Sequence, residues 1–341
     1  MNFDIRIPSF YKEIKEINEG KFPYPRVLSL YPTNKCQFNC TFCDYKELNS
    51  CNLHEAKELN EVEWKYILNT FKNNGGEGLH LCGGGEPLML SSIEKLLAYA
   101  NNLDLKIGVV TNGLNIDKYR RRELYYLLLD TCSYIRISFE AGSPEVFKKI
   151  KGKDHFYRIL ENVDHLISDK SDDLQISYKY TISSEYSLED INRAIDTADD
   201  LRFDSIQFKA VCNVSEKLSD KDRALLSNHI NKLSSTHYDT KVICGLDKYR
   251  KKSSECLISL IQTLIDYNGD IFICCYYNHR IEDHKIGNIF KDKFENIWGS
   301  YEHYKKLMNI DCNKCNLYDC RYIKYNHIIK DLMKTNYLSF I

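Results

Sequence analysis

Cys36, Cys40 and Cys43 stand within eight residues of one another, close enough for one loop to wrap three thiols round a single metal centre. Three thiolates satisfy three irons of a [4Fe-4S] cube and leave the fourth iron open, whereas a closed electron-transfer cluster takes a fourth protein ligand. An open iron calls for a substrate or cofactor to complete it. Zinc is the competing reading of this loop, although zinc loops supply CxxC pairs totalling four ligands and no fourth donor is obvious here. A second candidate is Cys82-Gly83-Gly84-Gly85-Glu86-Pro87. Glycines let backbone approach a ligand closely, and a neighbouring carboxylate accepts hydrogen bonds from an ammonium group. Taken alone, the glycine run reads only as a turn. A third set, Cys256, Cys274, Cys312 and Cys315, comes from three separated segments, with Cys275 and Cys320 as substitutes. Four thiolates close a cluster, and they suit a structural zinc equally well.

Such residues need a scaffold, and the chain supplies short β-rich runs alternating with amphipathic segments. Strands are expected at 27–31, 78–82, 106–110, 134–139, 175–182 and 205–211, and helices near 61–72, 92–102, 117–129, 154–168 and 188–200. Repeated βα units predict an α/β fold with a parallel sheet closed into a partial (β/α)6 TIM-like barrel. Its chemistry belongs on the loops after the strands' carboxyl ends. The cysteine loop follows the first strand, the glycine run ends the second, Thr111-Asn112-Gly113 ends the third, and Ser138 to Pro144 end the fourth. Arg136, Lys179, Gln207 and Lys209 lie on strands whose side chains can enter the barrel. Buried cations require partners, which makes these residues candidates for substrate or cofactor carboxylate contacts.

The expected organisation is an N-terminal extension (1–26), the barrel (27–211), a polar bridge (212–255) with a helix around 219–234, and a small cysteine-rich domain (256–341). That last part reads as a hairpin turning at Asn268-Gly269, a helix near 291–308, a cysteine-rich loop and a closing helix from about 321.

With 341 residues and 43% hydrophobic composition, the chain can bury a sizeable core. Its 47 Lys and Arg nearly balance 48 Asp and Glu, so no global field draws it to nucleic acid or an anionic membrane. The N-terminus lacks a secretory apolar region, and no stretch approaches the roughly 18 apolar residues of a membrane span. The expectation is a soluble, cytoplasmic protein. Its 14 cysteines are too unevenly clustered for a disulfide scaffold and point to metal. Cys51, Cys82, Cys132, Cys212 and Cys244 read mostly as small buried hydrophobes.

The pattern Cys36, Cys40, Phe42, Cys43 resembles the CxxxCxφC motif of the radical S-adenosylmethionine (SAM) superfamily, and residues 84–87 resemble its GGEP motif. The resemblance implies a [4Fe-4S] cluster whose open iron chelates SAM. Reductive cleavage would then yield a 5′-deoxyadenosyl radical that takes a substrate hydrogen. By the same resemblance, Phe42 flanks the adenine, Gly84, Gly85, Glu86 and Pro87 hold the amino group, and Ser138 faces the ribose. Glu140 stands where an Asp is common, and a bare turn with a helix N-cap at Ser143 is the plainer reading of that stretch.

The last 85 or so residues resemble SPASM/Twitch extensions, including Ile286-Gly287-Asn288-Ile289 and Ile297-Trp298. A full SPASM pattern holds seven cysteines and two clusters. Here only four residues separate Cys315 from Cys320 and no cysteine follows, so the resemblance implies one auxiliary [4Fe-4S] cluster, on Cys256, Cys274, Cys312 and Cys315. A flavodoxin- or ferredoxin-type reductant is implied with it. Implied substrates are a small sugar or aminocyclitol, oxidised or epimerised in a biosynthetic pathway, or a ribosomally made peptide. Only about 26 residues precede the first strand, too few for a leader-recognition domain, which tilts the reading to the small molecule. A non-catalytic iron-sulfur carrier or redox sensor explains the cysteines but not the 84–87 loop, and neutral charge disfavours a nucleic-acid-binding zinc protein.

Overall fold

The computed structural model describes residues 7–43, 45, 56–211, 218–235, 238–246, 255–275, 281–312, 320 and 322–333. After α1 (Tyr11–Asn18), six strands form within about two residues of their expected places: β1 (Val27–Leu30), β2 (Gly78–Leu81), β3 (Lys106–Thr111), β4 (Cys132–Ser138), β5 (Gln175–Ile182) and β6 (Ser205–Ala210). All pair in parallel, each with the next. The crossovers are α2 (Glu61–Asn73), α3 (Ile93–Asn102), α4 (Arg122–Thr131), the pair α5 (Pro144–Lys151) and α6 (Phe156–Asp169), and α7 (Leu188–Asp200). Two of them have a clear local start. Asn60 and Glu63 form a reciprocal capping box at the start of α2, and Ser187 caps α7.

α5 begins just after Ser143, where an N-cap is one reading of the sequence, although no helix range is expected there. It is short, it opens with Pro144 at its first turn, and it ends at Gly152 in a left-handed conformation. Residues 212–255 supply α8 (Asp220–Ser234), close to the helix expected there, and β7 (Lys241–Cys244), which pairs in parallel with β6. Towards the C-terminus come β8 (Gln262–Ile265), β9 (Asp270–Phe272), α9 (Ile281–His284), β10 (Lys285–Asn288), α10 (Phe294–Ile297), α11 (Tyr301–Met308) and α12 (Ile323–Met333). The helix expected over 291–308 is broken in two at Gly299, whose φ of +77° lies outside helical space. β8, β9 and β10 form an antiparallel set, as the Asn268-Gly269 turn predicts, but β8 also pairs in parallel with β1. One ten-stranded sheet results, in the order β10-β9-β8-β1-β2-β3-β4-β5-β6-β7. The fold is thus an α/β partial barrel on a parallel sheet, with a C-terminal set of antiparallel strands.

Strand periodicity sorts the side chains. Along β5 the residues Ile176, Tyr178, Tyr180 and Ile182 are buried against the helices, while Gln175, Ser177, Lys179 and Thr181 face the barrel lumen. Behind β4 and β5, Phe139, Phe147, Phe156 and Tyr178 pack with ring centroids 5.1 to 5.9 Å apart. Each such fully buried aromatic contributes about 1.5–3 kcal/mol and fixes the strand ends that carry the site. Opposite the cysteine loop, α1 and α12 close the lumen as a floor, with Ile14, Ile17, Leu260, Ile261 and Ile329 forming a separate core. Among the described residues no helix is long and apolar enough to cross a membrane.

Candidate active site

The cysteine loop owes its shape to three neighbours. Thr41 N–H donates to the Ile150 carbonyl of α5 at 3.0 Å, and Gln37 Nε2 donates to Asn112 Oδ1 at 3.0 Å. The third neighbour is the glycine turn: Gly85 N–H donates to the Thr33 carbonyl at 2.9 Å, and Glu86 N–H to the Lys35 carbonyl at 2.7 Å. At Gly85 the two backbones nearly touch, since a Cβ there would lie 2.1 Å from the Lys35 carbonyl oxygen.

This contact assembles the site. Cys36, Cys40, Cys43, Phe42, Gly84, Gly85, Glu86 and Ser138 all line one cavity of about 320 Å³ at the carboxyl ends of the strands. Pro87 is buried behind it, at the start of a short 3-10 turn. Arg136, Glu140, Lys179 and Lys209 share the wall. Gln207 lies lower, in a second chamber of about 460 Å³ that meets the first at Ser29, His80 and Arg136.

Glu86 is 3% exposed, and its carboxylate holds the turn rather than reaching outward. Oε1 accepts from Leu88 N–H at 3.1 Å and from Thr111 Oγ1 at 2.6 Å, and Oε2 accepts from Asn112 N–H at 2.8 Å. Burial raises its carboxyl above the ordinary range, opposed by these hydrogen bonds and by the charge of Lys151. Glu86→Gln replaces one acceptor oxygen by a donor facing donors. It should lower stability by about 1–3 kcal/mol, read as a fall in denaturation midpoint, and an unchanged midpoint would refute the clamp.

Glu140 has φ of +70° and is 2% exposed, accepting from Thr181 N–H and pairing with Lys179 Nζ at 3.5 Å. Ser143 sits at the N-cap position of α5, but its hydroxyl donates to Asp190 Oδ1 at 2.5 Å instead of capping. Asp190 also accepts from Gly142 N–H at 2.8 Å and Tyr180 at 2.6 Å, anchoring the loop after β4.

Sequence reasoning missed Lys151. It ends α5, is 3% exposed, and donates from Nζ to the Ser138 carbonyl at 2.6 Å while lining the cavity. It also missed Tyr31, Tyr45 and His80, on the same wall. Cys82 is buried in a small apolar cluster, as a small packed thiol is expected to be, and it lines the cavity as well. A lysine among Lys148, Lys149 and Lys151 carries no signal of its own, and the tyrosines meet only through long-range pairing.

The donor set fits an iron-sulfur cube. Burial, then Glu86 and the neighbouring thiols, push the Cys36 thiol up to about 12, so a thiolate there needs cationic iron beside it. Among the described residues, no three His, Cys, Asp or Glu side chains converge as ligands of a single ion, whereas a cube spreads its thiolates over separate irons. In the C-terminal domain Cys256, Cys274, Cys275, Cys312 and Cys320 are all half-buried, and Cys315 lies outside the described residues. Cys275, unlike Cys256, Cys274 and Cys312, lines the cavity.

Comparison with known proteins agrees with this geometry. The radical SAM superfamily matches residues 30–198, and an iron-sulfur cluster-binding domain, SPASM, matches residues 256–321. GTP 3′,8-cyclase of Staphylococcus carnosus is 30% identical over 161 residues, 46% of each chain. An uncharacterised protein of Methanocaldococcus jannaschii is 31% identical over 136 residues, 40% of this chain and 41% of that one. The aligned regions thus span less than half of these curated relatives. Among solved structures, Streptococcus suis SuiB bound to S-adenosylmethionine superimposes with a TM-score of 0.68 at 18% identity, covering 93% of this chain and 76% of that one. The anSMEcpe structure with AdoMet and the Cp18Cys peptide gives 0.62 at 18% identity, covering 86% and 88%. Motif, fold and family matches converge: the chain belongs to the radical SAM superfamily and carries a C-terminal SPASM iron-sulfur domain.

Proposed function

We propose that the protein abstracts a hydrogen atom from a small polar substrate of sugar or aminocyclitol type, oxidising or epimerising it in a biosynthetic pathway. Cys36, Cys40 and Cys43 would hold the SAM-binding [4Fe-4S] cluster, and Cys256, Cys274, Cys312 and Cys315 one auxiliary cluster. When bound, cluster and SAM supply a 5′-deoxyadenosyl radical. This chain's residues do the rest. Phe42 flanks the adenine, the turn at Gly84, Gly85, Glu86 and Pro87 presents backbone to the SAM amino group, and Ser138 faces the ribose. Lys151 holds the Ser138 carbonyl and so fixes that strand end.

The observation that carries the small-substrate reading is the polar wall. Arg136, Lys179, Lys209 and Thr181 set charged and polar groups on the wall of the cavity that would also receive the cluster and SAM, and such convergent polar groups suit a small polar substrate. The partial likeness to a cyclase named for a nucleotide supports it. A flavodoxin- or ferredoxin-type protein would deliver electrons, and the reaction would run in the cytoplasm.

A second reading, maturation of a ribosomally made peptide, draws on the lower chamber. That space of about 460 Å³ has apolar and aromatic walls, including Phe10, Ile14, Tyr322 and Tyr325. A SuiB structure bound to its precursor peptide SuiA also shares the fold, with a TM-score of 0.67 at 16% identity.

Anaerobic reconstitution should give about eight irons per chain, two cubes. Reduction with SAM should then release 5′-deoxyadenosine, with deuterium transferred from labelled sugars or aminocyclitols. Deuterium from a labelled peptide instead would establish the second reading, and no 5′-deoxyadenosine at all would defeat both.

A further inference from the structure

The sheet order brings redox-active side chains into one line. β1 lies between β2 and β8, so the residue after β1 touches both the barrel and the C-terminal hairpin. That residue is Tyr31. Its N–H donates to the Ile265 carbonyl of β8 at 2.9 Å, and on the other side Cys82 N–H donates to the Leu30 carbonyl at 3.2 Å.

Tyr31 and Cys82 are buried in one small cluster with Leu264 and Phe272 of the hairpin, and Tyr45 and Cys275 pack against it. The Tyr31 and Tyr45 hydroxyls are 2.9 Å apart, and the Tyr45 hydroxyl donates to the Cys275 carbonyl at 2.8 Å. Cys82 Sγ lies 3.5 Å from His80 Nδ1 and donates to the His80 carbonyl at 3.7 Å, as a protonated thiol does. Tyr31, Tyr45, Cys82 and Cys275 line the same cavity as Cys36, Cys40 and Cys43.

Thiol S–H and phenol O–H bonds are similar in strength, and both are weaker than the carbinol C–H bonds of a sugar. A carbon radical formed in this cavity therefore takes hydrogen from a thiol downhill, and a thiyl exchanges hydrogen with a phenol at little cost. We propose that Cys82 returns a hydrogen atom to the substrate radical, and that Tyr31 and Tyr45 refill the thiol from the auxiliary-domain side. The inference rests on the radical-forming function proposed above and narrows it to hydrogen replacement, such as inversion of a stereocentre.

Each step balances. The substrate carbon radical takes H from Cys82 S–H, forming C–H and leaving a thiyl. The thiyl takes H from Tyr31 O–H, restoring S–H. The Tyr45 hydroxyl turns to Tyr31 and gives up its hydrogen across the 2.9 Å contact. Tyr45 recovers its O–H with one electron from a low-potential flavodoxin- or ferredoxin-type donor and one proton from solvent. One electron for SAM cleavage and one for this return are consumed per product.

SAM itself is the probe. Reconstituted holoenzyme, reduced with dithionite in D2O without substrate, exposes its radical to the exchanged Cys82 S–D bond and should release 5′-deoxyadenosine carrying one deuterium. Cys82→Ala should cut the deuterated fraction at least fivefold. Cys82→Ser, which keeps size and hydrogen bonding but has too strong an O–H bond, should do the same at unchanged iron content. Tyr45→Phe should keep first-turnover deuterium, lose at least fivefold over many turnovers, and build up a tyrosyl radical signal in electron paramagnetic resonance. Parent-like deuterium in both Cys82 variants overturns the donor assignment, and parent-like multiple turnover in Tyr45→Phe overturns the refilling line. Absence of 5′-deoxyadenosine from the parent overturns the underlying function and this inference with it.

Discussion

Cys40→Ala abolishes release of 5′-deoxyadenosine and lowers iron from about eight to about four per chain, while the C-terminal cluster persists. The expectation follows from the loop. Cys40 is the middle of three thiols on one wall, its carbonyl accepts from Cys43 N–H at 3.2 Å, and among the described residues no fourth cysteine of the same loop lies on that wall. Removing it leaves two thiols, too few to hold a cube with one open corner. Cys256→Ala is the paired control: iron falls by the same amount, but SAM cleavage continues. Iron and sulfide counting with chromatographic assay of 5′-deoxyadenosine reads both variants. A Cys40→Ala protein that cleaves SAM like the parent would end the assignment.

Gly85→Ala is the second large effect, and it requires no change of charge or ligand. The added methyl would lie 2.1 Å from the Lys35 carbonyl oxygen and 2.6 Å from the Asn34 carbonyl carbon, both backbone atoms. The glycine turn must then withdraw from the cysteine loop, straining the bonds from Gly85 to Thr33 and from Glu86 to Lys35. Overpacking of this kind costs about 1–3 kcal/mol. SAM affinity should fall at least tenfold, about 1.4 kcal/mol, in equilibrium dialysis of the reconstituted protein. Gly78→Ala, where the added methyl would meet nothing nearer than Val27 Cγ2 at 3.6 Å, controls for the loss of a glycine that, like Gly85, has no positive φ. Equal SAM affinity in the two variants would show that the close approach does not matter.

Much of this was legible because it is local. The three thiols announce themselves by spacing alone, and the parallel strands by continuous apolar runs, so six strands fall close to their expected places. What escaped the sequence depends on distant partners. β7 is four residues inside a polar stretch and becomes a strand only because β6 offers it an edge. α5 is eight residues long, and its end residue Lys151 matters only because the Ser138 carbonyl waits opposite. Nothing in the sequence shows that the Glu86 carboxylate accepts from Thr111 and Asn112 across the sheet. Tyr31 and Tyr45 looked like two of 25 tyrosines until β8 joined β1.

That junction also governs how the molecule is made. Val27 of β1 lies opposite Gln262 of β8, so an inner strand of the finished sheet waits through most of translation for its second neighbour. Until then its bare edge can recruit another nascent chain, and contacts between such remote residues form late. Ribosome-bound intermediates should therefore be the aggregation-prone species, and a chaperone that shields β1 until the hairpin emerges should raise the yield of native protein.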